Sequence, residues 1–166
     1  AIEVKTPLNR LIYHDSINLY GTDKPDLRIS NTIQDFTEIF INTEISFIKE
    51  TISNKGTVRG FIINELFTRS KIDSLDEMLK EEGSQGLGWF KVENNEISGP
   101  LTKILNDDEI TEISKNDNCT ILFQAGKTNE TAPYLDILRR EIYEIENNNK
   151  YEFAWIDDFP YFEYDE

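Results

Sequence analysis

The sequence predicts an α+β domain of two layers, a largely antiparallel sheet with helices on one face. Three observations carry that expectation. Strand-like runs are joined by tight-turn residues, as at "SNKG" (Ser53–Gly56) and "NNE" (Asn94–Glu96), which favours antiparallel neighbours. Segments with apolar residues every three to four positions are interspersed with those runs, so each apolar helix stripe has a sheet face to cover. A chain of 166 residues, 38% hydrophobic and 11% aromatic, suffices for one domain with a sizeable core.

In order along the chain, "YHDSINLYG" places Tyr13, Ile17 and Tyr20 at helical spacing, with Gly21 where a C-terminal cap belongs. "NTIQDFTEIF" predicts a short helix with Thr32 as N-cap and Phe36, Ile39 and Phe40 facing inward. "EISFIKETI" and "TVRGFIIN" read as two strands of a hairpin. A helix follows, capped by Ser70 with Asp73 three residues on. Ile72, Leu75, Met78 and Leu79 make its inner face, and Gly83 ends it. "LGWFKVE" is a strand with Phe90 and Val92 on one side, and "GPLTKIL" places Pro100 near a helix start. "NDDEITEIS" has Asn106 as cap and three acids in the first turn, where the helix dipole favours them. "CTILFQAG" alternates as a half-buried strand. The longest helix is predicted from Thr131 to Asn147, with Pro133 in its first turn and Leu135, Leu138, Ile142 and Ile145 in one stripe. The run Asn147–Asn149 reads as a loop. The end, "YEFAWIDDFPYFEYDE", is strand-like, aromatic and broken at Pro160. Trp89 and Trp155 lie in apolar strands and are expected in the core.

The net charge is −15. Residues 1–28 balance four basic against four acidic side chains; 29–148 carry twelve against twenty-two, and 149–166 one against six. A phosphate backbone attracts cationic surfaces, so autonomous binding of DNA or RNA is disfavoured. No apolar run has membrane-spanning length, and the chain reads as soluble. One cysteine, Cys119, leaves no internal disulfide or zinc spacing, and one histidine, His14, argues against a Ser–His triad or a histidine-rich metal centre. Cys119 is expected in the core, His14 exposed on its helix. The acids of "NDDE" are assigned to helix capping rather than to a metal.

Two segments remain that such a layer does not need. "YGTDKPDLR" (Tyr20–Arg28) and "DFPYFEYDE" (Asp158–Glu166) resemble the two edges of the insertion in the bacterial-type aspartate–tRNA ligase (aspartyl-tRNA synthetase) family. "GLGWFKV" (Gly86–Val92), "GPLTKIL" (Gly99–Leu105) and the helix "APYLDILRREI", with its pair Leu138 and Arg139, resemble the GAD domain lying between those edges. The chain departs from the family pattern at three places. "NELFTRS" (Asn64–Ser70) replaces a Pro-Gly-Gly turn, Asp157 stands where an apolar residue is usual, and Ile12 replaces a Thr helix cap.

The resemblance implies a GAD (DCoH-like) fold with residues 1–28 as the edge of a class II catalytic domain, 29–149 as the insertion and 150–166 as the return. It implies a parent enzyme that is cytoplasmic and homodimeric, uses ATP and Mg, attaches aspartate to tRNA, and leaves this segment without an active site. No catalytic, cofactor or metal residue is carried over, because the ligase motifs do not occur in it. The residues singled out are Asp23, Lys24, Asp26 and Arg28, with Pro25 stiffening the turn. One reading makes them an ion-pair network fixing the angle at the domain junction. The sharper one has Lys24 or Arg28 touching tRNA. A different class of function, a protein-interaction module docking an amidotransferase or another partner, stands beside the first. An amidotransferase's own copy of the domain is disfavoured by the two flanks.

Overall fold

The computed structural model describes residues 6–143 and 151–162. Its centre is a five-stranded sheet in the order β2-β3-β6-β4-β5, formed by β2 (Gln34–Asp35), β3 (Thr57–Ile63), β4 (Gly88–Glu93), β5 (Glu96–Ser98) and β6 (Cys119–Gly126). Every pairing in it is antiparallel. The β4–β5 hairpin turns at Asn94 and Asn95, both at positive φ, a conformation Asn tolerates better than most residues. The α+β class and the antiparallel sheet stand as the sequence indicates.

The layering is different: helices cover both faces, not one. On one side, α3 (Arg69–Glu81) and α5 (Thr128–Ile142) pack Ile72, Leu75, Leu79, Leu135 and Leu138 against Phe61, Ile63, Trp89 and Leu122. On the other, the 3-10 turn Thr37–Phe40, α2 (Ser46–Ser53) and α4 (Asp107–Ile113) bury Phe40, Ile48 and Ile113 against Val58, Phe90, Val92 and Phe123. Alternate residues of β3 and β6 therefore enter different cores. The expectation of a half-buried "CTILFQAG" strand is corrected accordingly, since its polar positions Thr120 and Gln124 are buried too. Phe123 stacks on Phe90 and meets Phe40. Its direct partners across the sheet are Gly60 and Gly88, and a Cβ at Gly88 would stand 2.4 Å from the Phe123 ring.

The reason for the second helical layer is local. "EISFIKETI" forms a helix rather than a strand. Ile45, Ile48 and Ile52 face the core at spacings of three and four, while Phe47 is left exposed. Segment 31–40 forms β2 and the 3-10 turn instead of a helix capped by Thr32, yet Phe36 and Phe40 are buried as expected. Thr68, not Ser70, caps α3, accepting from the Lys71 amide. "GPLTKIL" makes only a 3-10 turn at Thr102–Ile104. Asn106 and Glu109 form a reciprocal capping box on α4. α5 begins three residues earlier than predicted. It ends at Ile142 with Tyr143 already extended, short of the predicted Asn147; Ile145 and the Asn147–Asn149 loop fall outside the described residues, as does "EYDE" at 163–166.

The two chain ends make a sheet of their own. β1 (Asn9–Ile12) and β7 (Ala154–Asp157) pair in parallel, Leu11 opposite Ile156, and neither joins the central sheet. Between β1 and the central sheet runs α1 (Tyr13–Tyr20), which packs on α5. Trp155 is 57% exposed on β7, which corrects its assignment to a core; Trp89 is buried as expected.

Candidate domain junction

Gly21 closes α1 at φ 79°, in the left-handed region, and its amide bonds back to the Ile17 carbonyl. A Cβ there would stand 2.3 Å from the Ala132 carbonyl oxygen, so α1 and α5 approach this closely only over a bare backbone. The chain then turns through the predicted residues. Buried Ser16 donates its hydroxyl proton to the Thr22 carbonyl at 2.7 Å, and the Lys24 amide donates to the Thr22 hydroxyl.

The four candidates do not act as one network. Arg28 grips Asp26 with two parallel bonds, Nε to Oδ1 at 2.8 Å and Nη2 to Oδ2 at 2.6 Å, while the Arg28 amide also donates to Oδ1. The Arg28 side-chain hydrogen bonds hold the Asp26 carboxyl below its ordinary value against the opposing effect of burial. Lys24 stands apart: its side chain is 86% exposed and its ammonium lies 4.0 Å from Asp23, a contact worth little in water. Of the two cations, Arg28 is therefore tied into the turn, and Lys24 is the one presented to solvent.

The residue that joins this loop to the domain is Arg139. It is fully buried on α5 and donates to three backbone carbonyls of the loop: Asn31 at 2.7 Å, Asp26 at 2.8 Å and Ile29 at 2.6 Å. Its guanidinium also lies 4.8 Å from the centre of the Tyr20 ring. Burial pushes the Arg139 pKa down and Asp136, Tyr20 and Asp26 draw it back, but an arginine stays charged here. Nearby Asp136 is raised, chiefly by burial, although Arg140 holds it at 2.8 Å. In the family resemblance Arg139 figures only as half of a Leu-Arg pair. A sharper signal is present: Leu135, Leu138, Arg139 and Ile142 follow an i, i+3, i+4, i+7 core pattern, so the arginine occupies an inward position.

At the ends, Arg10 Nη1 donates to Asp157 Oδ2 at 2.6 Å across β1 and β7, which gives the unusual Asp157 a partner. Ile12 makes no side-chain cap, in line with its replacing a capping residue. Tyr13 meets Phe159 at 4.9 Å between ring centres. Cys119 is buried, and desolvation pushes its thiol up, away from reactivity. His14 is exposed beside Asn18. Among the described residues no three His, Cys, Asp or Glu side chains are placed to hold a metal, and no helix is long and apolar enough to cross a membrane.

An antiparallel sheet covered on both faces, with β1 and β7 meeting in a separate parallel pair, defines an α+β domain. The particular family is shown by comparison: the chain belongs to the GAD domain family, whose family model matches residues 48–135. It is 37% identical over 99% of its length to an aspartate–tRNA(Asp/Asn) ligase of Hydrogenobaculum sp., of which it covers 29%. It is 38% identical over its whole length to an aspartate–tRNA(Asp/Asn) ligase of Borrelia garinii subsp. bavariensis, covering 30% of that protein. To an aspartate–tRNA ligase of Lactobacillus acidophilus it is 34% identical, again over the whole chain and 29% of the relative. The chain thus spans less than a third of the curated relatives it matches.

Proposed function

We propose that this chain is the GAD-containing insertion of an aspartate–tRNA ligase, with residues 1–28 and 150–166 forming the edges of the catalytic domain and 29–149 the inserted domain. The domain helps place the tRNA acceptor end, while adenylate chemistry with ATP and Mg belongs to the rest of the parent. The observation that carries the reading is similarity to such ligases along 99–100% of the chain, flanks included. The parallel β1–β7 pair supports it, because a segment inserted into a host must leave and return at one place. So does the exposure of Trp155, Phe159, Tyr161 and Phe162 around that pair, an apolar surface suited to a neighbouring body. The cleft that opens beside α2 and α5 does not fit a triphosphate, since its lining sets Glu50 and Glu130 against the one cation Lys127.

The test is a parent ligase in which residues 29–149 are replaced by a short linker. Aspartate- and ATP-dependent adenylate formation is expected to persist while the apparent affinity for tRNA falls. Loss of both, or of neither, removes the reading. The junction role is tested separately by Lys24→Ala with Arg28→Ala in the same parent. An unchanged apparent affinity for tRNA eliminates direct contact by either cation and leaves the turn as their role.

A further inference from the structure

A cleft of about 620 Å3 opens where the C-terminal ends of α2 and α3 meet the start of α5. One wall is strand. β4 begins at Gly88, opposite Phe123, so residues Gln124–Gly126 of β6 run on past it with β3 on one side and, among the described residues, no strand on the other. Backbone groups on such an edge can accept an added extended chain.

The remaining lining carries two carboxylates, Glu50 and Glu130, against one cation, Lys127, and one buried acceptor in it is unmet. Gln124 lines the cleft and is 5% exposed. Its amide nitrogen donates to Ser84 Oγ at 2.6 Å and to the Gly86 carbonyl at 3.3 Å, but its buried Oε1 has no donor. An unmet buried acceptor costs free energy that a bound donor would return. Of the two helix C-termini here, α3 has Lys80 in its last turn, whereas α2 has no basic residue there to offset the negative end of its dipole. The carboxylates of Glu50 and Glu130 stand at the rim, Glu130 only loosely faced by Lys127 at 4.0 Å. Tyr134 and Phe47 supply aromatic faces, which attract cations. The start of α5 is the opposing feature, and Glu130 in its first turn already complements it.

We propose that this cleft binds an extended arginine- or lysine-bearing peptide segment of a partner protein, its backbone beside Gln124–Gly126 and its cation toward Glu50 and Glu130. The volume suits a few residues rather than one side chain. The net charge of −15 favours such a partner's approach and opposes a phosphate backbone. The site stands independently of the ligase reading, since it rests on this chain's own cleft.

The experiment follows backbone amide signals of the isotope-labelled chain by NMR during titration with the capped peptide acetyl-Val-Arg-Val-Arg-amide. Its citrulline counterpart and a short single-stranded RNA are run in parallel. Saturable shifts are expected at Gly86, Ala125 and Gly126, weakening as salt rises. The citrulline peptide and the Glu50→Gln/Glu130→Gln chain are each expected to bind about tenfold more weakly. Gln124→Leu is expected to weaken binding as well. Because that change also frees the Ser84–Gly86 loop, the rim variants carry the decision. No saturable shift, equal binding of the citrulline peptide, or an undiminished response in the rim variant overturns the proposal, as does RNA that moves the same amides.

Discussion

Arg139 shows how one side chain can bind a loop to a domain. A buried guanidinium is tolerable because three carbonyls accept from its Nε and Nη2, although its Nη1 has no partner among the described residues. Arg139→Leu keeps the apolar packing and orphans the carbonyls, so we expect a loss of about 3 kcal/mol in urea unfolding. Arg139→Lys, which keeps the charge without the planar fork, is expected to fall between. Asp26 has a pH signature of its own. Its folded pKa is depressed by Arg28, so its contribution is complete above the unfolded value of about 3.9 and is lost as pH falls through the folded pKa. Asp26→Asn should therefore lower stability at neutral pH, with the gap from the parent chain closing below about pH 4 in denaturant midpoints. Asp136 runs the other way: its raised pKa makes ionisation cost stability as pH climbs from the unfolded value through the folded one.

Among the elements, α4 is the one whose existence rests most on its ends. It has seven residues, too few for helix propensity to sustain, and buries chiefly Ile113 and the capping Glu109. Asn106→Ala removes the acceptor for the Glu109 amide and is expected to cost about 1 kcal/mol, read from thermal melts by circular dichroism. The Asn106 cap is legible in the sequence, where the first-turn acids read as partners of the helix dipole; the reciprocal bond from Glu109 is what the structure adds. The helix α2 is not legible there. "EISFIKETI" satisfies both a two-residue and a three-to-four-residue apolar spacing, and its β-branched residues favour the strand. What chose the helix was an uncovered sheet face formed by Val58, Phe90 and Phe123, residues distant in sequence.

At the scale of the molecule, stability is expected to be uneven. The central strands are sealed between two cores, whereas β1 and β7 form a bare two-stranded sheet with Ile12 and Trp155 exposed. In this chain alone, hydrogen exchange at 9–12 and 154–157 should be at least about 100-fold faster than at 58–63 and 119–124, as expected of a locally opening unit. Equal protection would mean that the chain ends share the cooperative core, which would tell against their belonging to a neighbouring body.

By itself the sequence determined the α+β class, the antiparallel central strands, the α4 cap, the Gly21 stop and the family blocks. Each follows from interactions within a few residues or from motifs read whole. Tertiary structure alone decided that helices cover both faces and that "EISFIKETI" is one of them. It also decided that Trp155 stays exposed and that Arg139 holds the loop between Asp26 and Asn31. These outcomes depend on which surfaces meet. A buried cation is stable only where a distant loop turns its carbonyls toward it, and no local pattern specifies that meeting.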